Sequence, residues 1–194
     1  MSIPPNGWGA VEKIIWEWHL VLNKKNIENE ISYLDYIKYK SGDIIHVHVA
    51  NLALLAHKRG IPYYFTCHDH HAYLYGKDSG SFNENYQAIK HSIKSFVPAK
   101  YLVDYFGLPN LEYLSHGVNT DFFKPSLNKF NTHKLLCVAN NGFIHDQSED
   151  RKGFLYAIEA AKKLNLPITI AGPRNNSKFF DKFNPSYEKL HYSI

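Results

Sequence analysis

Apolar positions along the chain switch between a helical and a strand period, and the switching predicts the elements. Val11, Ile14, Ile15, Trp18 and Leu22 recur at helical spacing, with Trp16 and Leu20 widening the stripe, which predicts a helix over 10–24. A stripe that wide packs on a sheet, so both tryptophans are expected in the core. "NEISYL" (29–34) is a short strand candidate, and the β-branched "DIIHVHV" (43–49) is a stronger one. "ANLALLAHKRG" (50–60) reads as a helix closed by Gly60 at C′. "IPYYFTCHD" (61–69) returns as a strand, with Pro62 at its start where a missing N–H is tolerated. "GKDSGSF" (76–82) reads as a loop, followed by a helix over 83–94 and a strand over 95–97. Pro98 suits N1 of another helix that ends before Gly107, and "LEYLSHGV" (111–118) is the next strand.

"NTDFFKPSLNKFNTH" (119–133) breaks this rhythm: it is polar, holds a proline and has no period, as interdomain linkers do. Beyond it "KLLCVAN" (134–140) is a strand, "RKGFLYAIEAAKKLN" (151–165) a helix with Asp150 as N-cap, and "LPITIAG" (166–172) another strand. The tail from Pro173 shows no pattern. Strand–helix alternation argues an α/β fold, a Rossmann-type doubly wound parallel sheet with helices on both faces. The expected organisation is a first domain over 1–125, a linker over 126–133, and the opening β-α-β of a second Rossmann-like domain over 134–194. The second piece is short for an independent domain.

Composition adds boundaries. The 194 residues are 44% hydrophobic and include 14 Tyr and 12 Phe, enough for a real core. A net charge of +4, without a block of like charges, is too mild to argue nucleic acid and suits small anionic ligands or an anionic membrane face. Cys67 and Cys137 both sit in apolar strand-like runs, which fits buried thiols in a reducing compartment better than a disulfide. No apolar run approaches the ~18 residues of a membrane span, and no charged-then-apolar leader opens the chain, so a cytoplasmic protein is expected.

"PPNGWGAVE" (4–12) places Gly7 and Gly9 directly ahead of the first helix, where backbone amides can approach a phosphate. Taken alone, such a turn is more often ordinary than functional. It acquires weight from its companions in chain order: "NGWGAVE", "DIIHVHV", "GIPYYFTCHD", "SHGVNTDFFKP" and "LLCVANNG…DRKGFLYAIEAAKKL…PITIAGP". Together these resemble, across nearly the whole chain, the retaining GT-B glycosyltransferases of family 4. The matching features are a glycine-rich first loop, a D-x-x-H-x-H strand, a T-x-H-D stretch, an "nGVDtxxFxP" linker and the first β-α-β of the donor domain. Measured against that pattern, a strand before the first loop and most of the donor domain are missing, which suggests a chain truncated at both ends.

The resemblance implies transfer of a sugar from a nucleotide-diphosphate donor to an acceptor hydroxyl, with retention and without a cofactor or metal. The leaving diphosphate would be held by Gly7, Gly9, Arg151 and Lys152. The family's arginine just after the strand has no counterpart, since Asn140 stands there. His68 and Asp69 would face the reacting sugar and acceptor. Histidine has the pKa range for proton work, although retaining transfer of this kind is often discussed without an enzyme base. His116, Gly117, Asn119, Asn140 and Gly172 would line the interdomain cleft, with Gly117 allowing the turn. A hinge role serves His116 and Asn119 equally well. Implied partners are a nucleotide sugar and a carbohydrate or lipid-linked acceptor, with peripheral membrane association and a separately encoded donor half also open. No nucleic acid is implied. Two rival classes remain: a non-catalytic binding module or half-enzyme, and a metal-dependent hydrolase using His46, His48, His68, His70 and His71. The D-x-x-H-x-H pattern accounts for His46 and His48 as buried or hydrogen-bonded strand histidines. A sugar-nucleotide epimerase on the same scaffold is a smaller alternative.

Overall fold

The computed structural model describes residues 10–32, 39–68, 71–121, 123–124, 135–138, 153–171 and 188–190. The chain divides into two compact units, Met1–Lys124 and Pro125–Ile194. In the first, helix α1 (Ala10–Lys24) is followed by β1 (His46–Val47), α2 (Ala50–Lys58), β2 (Tyr64–Thr66), α3 (His71–Leu74), α4 (Gly80–Lys90), β3 (Lys94–Val97), α5 (Lys100–Phe106) and β4 (Leu111–Tyr113). The four strands form one parallel sheet in the order β1-β2-β3-β4. The register aligns Val47 with Phe65, Phe65 with Ser95, and Ser95 with Leu111.

Strand alternation sorts the side chains into two layers. Val47, Phe65, Cys67, Val97 and Leu111 turn to one face, where Ala53 and Ala56 of α2, Ala88 and Ile89 of α4, and Leu102 and Phe106 of α5 close the core. Polar groups caught in this layer are paired, as burial requires. The Tyr63 hydroxyl donates to the Ala88 carbonyl at 2.8 Å, and the Cys67 thiol donates to Asn85 Oδ1 at 3.1 Å. Burial pushes the Tyr63 phenol up to about 12. The opposite face carries His46, Thr66 and Phe96, and α1 covers it through Trp18, whose ring lies 5.3 Å from that of His46. Helices on both faces of a parallel sheet make this a Rossmann-type α/β unit.

The second unit runs β5 (Leu135–Val138), α6 (Phe154–Leu164), β6 (Ile168–Ala171) and β7 (Glu188–Leu190). Its strands are also parallel, in the order β5-β6-β7. Phe154, Ile158 and Ala161 of α6 pack with Ile168 and Ile170, against Leu135 and Cys137. Leu136 and Val138 point the other way and are exposed.

Several boundaries differ from the sequence expectation, each for a local reason. Residues 29–32 form no strand, and 33–34 lie outside the described residues. Asn29 folds this stretch back on α1 instead, donating to Asn23 Oδ1 and to the Ile27 carbonyl, both at 2.8 Å, and meeting His19 Nδ1. Such side-chain bonds compete directly with a strand ladder. Helix α4 begins inside the expected loop because Ser79 caps it, its Oγ accepting from Phe82 N at 3.1 Å. Helix α5 takes Ala99 as N-cap, which leaves Pro98 outside the helix rather than at N1. Gly107 ends it in the left-handed region, φ 64°, as expected. Strand β4 stops at Tyr113, so residues 114–118 are not strand. Helix α6 opens at Phe154 behind a left-handed Gly153, φ 72°, not behind Asp150, which lies outside the described residues. Helix α3 and strand β7 have no counterpart in the sequence reading.

Candidate functional site

Parallel strands bring their carboxyl ends to one edge, and open α/β sheets bind ligands there. Three histidines of the first unit follow such ends: His48 just after β1, His68 just after β2 and His116 beyond β4. They form a row of rings. His48 and His68 stack with centroids 5.2 Å apart and planes at 23°, and His68 and His116 stack at 5.1 Å and 17°. His46, two residues back along β1, extends the row by stacking on His48 at 4.4 Å. Period-two alternation explains why His46 and His48 share a face.

Hydrogen bonds lock the row from below. His46 Nε2 lies 2.8 Å from Thr66 Oγ1, and His48 Nδ1 lies 2.9 Å from His68 Nε2. Trp18 of α1 closes the side, 5.3 Å from both His46 and His48, and edge-on to the latter at 69°. One buried atom is left over: Nδ1 of His68 has no hydrogen-bond partner among the described residues. An orphaned buried polar atom in a native fold calls for a specific explanation, and a ligand group is one.

The electrostatics follow from burial. His46 is lowered to about 4 by desolvation. His48 is lowered to about 3, first by desolvation and then by the positive charge that His46, His68 and His116 would carry. His68 is lowered to about 4 by desolvation, followed by His116 and His46. Two charged imidazoles at the spacing of these rings would repel by roughly 3–4 kcal/mol at an effective dielectric near 20. His46, His48 and His68 are therefore neutral at pH 7, able to accept and donate hydrogen bonds without net charge.

Asn119 acts as a tether. Its Nδ2 donates to Glu17 Oε2 of α1 at 3.2 Å, and its Oδ1 accepts from Asp121 N at 3.1 Å, which ties the segment carrying His116 to the helix carrying Trp18. Gly117 is not required for the turn: its φ is not left-handed, and an added Cβ would meet nothing within 4 Å. Gly117→Ala is therefore expected to change stability by less than about 0.5 kcal/mol, as read from urea unfolding.

His68, His116 and Asn119 are thus brought into one neighbourhood. Asp69, Gly7, Gly9, Asn140, Arg151, Lys152 and Gly172 lie outside the described residues, as does His70. Among the described residues no group of three or more His, Cys, Asp or Glu is arranged to hold a metal ion. The rings are stacked instead of converging their nitrogens on one point. Sequence reasoning places Trp18 simply in the core and groups His48 with His68 on neighbouring strands as rival metal ligands, without the hydrogen bond that joins them. The available signal was the period-two pair His46/His48 on the strand beside the T-x-H-D strand. No described helix is long and apolar enough to cross a membrane.

No protein-family model matches the chain, and no curated protein matches it. Among solved structures it is similar to UDP-N-acetylglucosamine 2-epimerase from Rickettsia bellii, at 13% identity with a TM-score of 0.46. The similarity covers 93% of this chain and 50% of that one, so the chain spans about half the length of that structure.

Proposed function

We propose that this chain comprises the acceptor-side domain and the opening of the donor-binding domain of a retaining, nucleotide-sugar-dependent glycosyltransferase. Its donor is a nucleotide-diphosphate sugar, and its acceptor is a hydroxyl on a carbohydrate or a lipid-linked glycan, handled on the cytoplasmic side. One observation carries the reading. The histidine of the T-x-H-D stretch, His68, stands at the carboxyl edge of a parallel sheet, held on one nitrogen by His48, with the other buried and unpaired among the described residues. Five motifs in chain order support it: each is weak alone, and their order is what a shared ancestry would leave.

In this reading the amides behind Gly7 and Gly9, with Arg151 and Lys152, neutralise the diphosphate as it leaves, work that positive groups and helix N-termini do well. His68 meets the sugar or the incoming hydroxyl through its free nitrogen.

The test begins with binding. UDP-, GDP- and ADP-sugars are titrated into the 194-residue chain by calorimetry, and turnover is followed as nucleoside diphosphate released when acceptor glycans are added. Binding of a nucleotide sugar is expected, weakened when Lys152 is replaced by Ala. His68→Ala is expected to leave that binding within a few-fold of wild type and to lower turnover by about 10²–10⁴. Absence of binding to every nucleotide sugar would defeat the proposal, and stoichiometric zinc in the purified protein would favour a metal-dependent hydrolase.

A further inference from the structure

We infer that His48 is a positioning residue that sets the tautomer of His68, so that His68 presents Nδ1 as a bare acceptor to a ligand hydroxyl. The inference rests on the reading of His68 as a group that faces substrate, and it adds the direction in which that group bonds.

His48 Nδ1 and His68 Nε2, 2.9 Å apart, share a single proton, because neutral imidazole carries one N–H and one lone pair. The proton has two placements. If His48 donates, His68 must carry its own proton on Nδ1, and that N–H is buried without a partner among the described residues. If His68 donates from Nε2, the atom left over is a lone pair. In folded backbones orphaned buried N–H groups are rarer than under-satisfied acceptors, and the same order applied to imidazole favours a bare nitrogen over an orphaned N–H. The second placement therefore prevails: His68 Nε2–H donates to His48 Nδ1, and His68 Nδ1 stays open.

His48 is suited to impose this choice because its ring is pinned. His46 stacks on it at 4.4 Å, and Trp18 meets it edge-on at 5.3 Å. His46 is in turn fixed by Thr66 Oγ1. An acceptor that cannot rotate holds its donor to one geometry, which is how an outer residue orients a reacting one. A hydroxyl that reaches His68 Nδ1 therefore finds an acceptor. A ligand carbonyl or phosphate oxygen, which needs a donor, does not bond there. The site thus selects a hydroxyl-bearing ligand at this atom, the acceptor alcohol or a sugar hydroxyl.

The decisive measurement is nitrogen NMR of the full chain labelled with ¹⁵N-histidine, at neutral pH, with the His68 signals identified by their loss in His68→Asn. Wild type is expected to show one tautomer, with Nε2 protonated and Nδ1 bare. In His48→Leu the two nitrogens of His68 are expected to move to intermediate positions, as in free imidazole exchanging between tautomers. His48→Asn can place Oδ1 where Nδ1 was, and it is expected to restore the single tautomer. In turnover assays His48→Leu lowers kcat several-fold at unchanged KM, and His48→Asn recovers it. A wild-type His68 protonated on Nδ1, or a His48→Leu protein with an unaltered His68 spectrum, overturns the inference. If His48→Leu does not fold, the wild-type and His48→Asn spectra still decide it. The spectra need no donor, so a chain with the expected tautomer that binds no nucleotide sugar defeats the glycosyltransferase reading alone.

Discussion

Acidification from about pH 7.5 to about pH 5.5 is expected to remove roughly 2–4 kcal/mol of folding stability from the first unit, a large share of what a domain possesses. The cause is three histidines buried as neutral rings, His46, His48 and His68. His46, His48 and His68 have folded pKa values of about 4, about 3 and about 4, against an ordinary value near 6.5 in the unfolded chain. Between about pH 6.5 and about pH 4 the unfolded chain therefore binds more protons than the native one. Stability rises with pH in that interval and falls as pH is lowered through it. Each group held neutral would contribute a little over 1 kcal/mol of loss at about pH 5.5. His68 lies closer to solvent and contributes less, hence the range. Urea unfolding at several pH values measures this directly, and Trp18 supplies a local fluorescence signal because its ring contacts both His46 and His48. His48→Asn removes one titrating group and is expected to flatten the pH dependence by about a third. Stability that is constant or increasing on acidification would show that these three histidines are not buried as neutral rings.

The same row shows what was legible in the sequence. Hydrophobic period located α1, α2 and β3 closely, because the spacing of apolar residues reports the face turned inward, whereas β1 and β2 are shorter than the expected 43–49 and 61–69. The C-terminal stop at Gly107 was equally plain, since a left-handed residue there favours glycine. What escaped was decided by single polar contacts. The Ser79 cap starts α4 earlier than composition suggests, and the Asn29 bonds replace a strand that "NEISYL" would otherwise support. The site was half visible. His68 is marked by its place at a strand end. Its grouping with His48 on the neighbouring strand is legible, but the hydrogen bond between the two rings depends on register and side-chain rotation, information that no local window holds. The bond from Asn119 to Glu17 spans too much chain for spacing to reveal.

Phe154→Ala is expected to unfold the second unit and leave the first intact. Among the described residues each unit has its own cluster of buried residues. Among the described residues the second cluster is small: Phe154, Ile158, Ala161, Ile168 and Ile170, all 5% exposed or less, with Phe154 at 0% the largest among them. Replacing a fully buried Phe by Ala typically costs about 3–5 kcal/mol, from lost transfer free energy and from the cavity left behind. A unit of this size has little more than that to lose. Phe154 also opens α6 immediately after the left-handed Gly153, so its ring anchors the helix end to the sheet at the turn that launches it. Hydrogen exchange read by mass spectrometry separates the units. Amides of Leu135–Val138, Phe154–Leu164 and Ile168–Ala171 should lose protection in the variant, while those of Tyr64–Thr66 and Lys94–Val97 keep it. Equal loss in both sets would mean that the two cores melt as one cooperative block. In that case the separation of their buried clusters would not be a separation in stability.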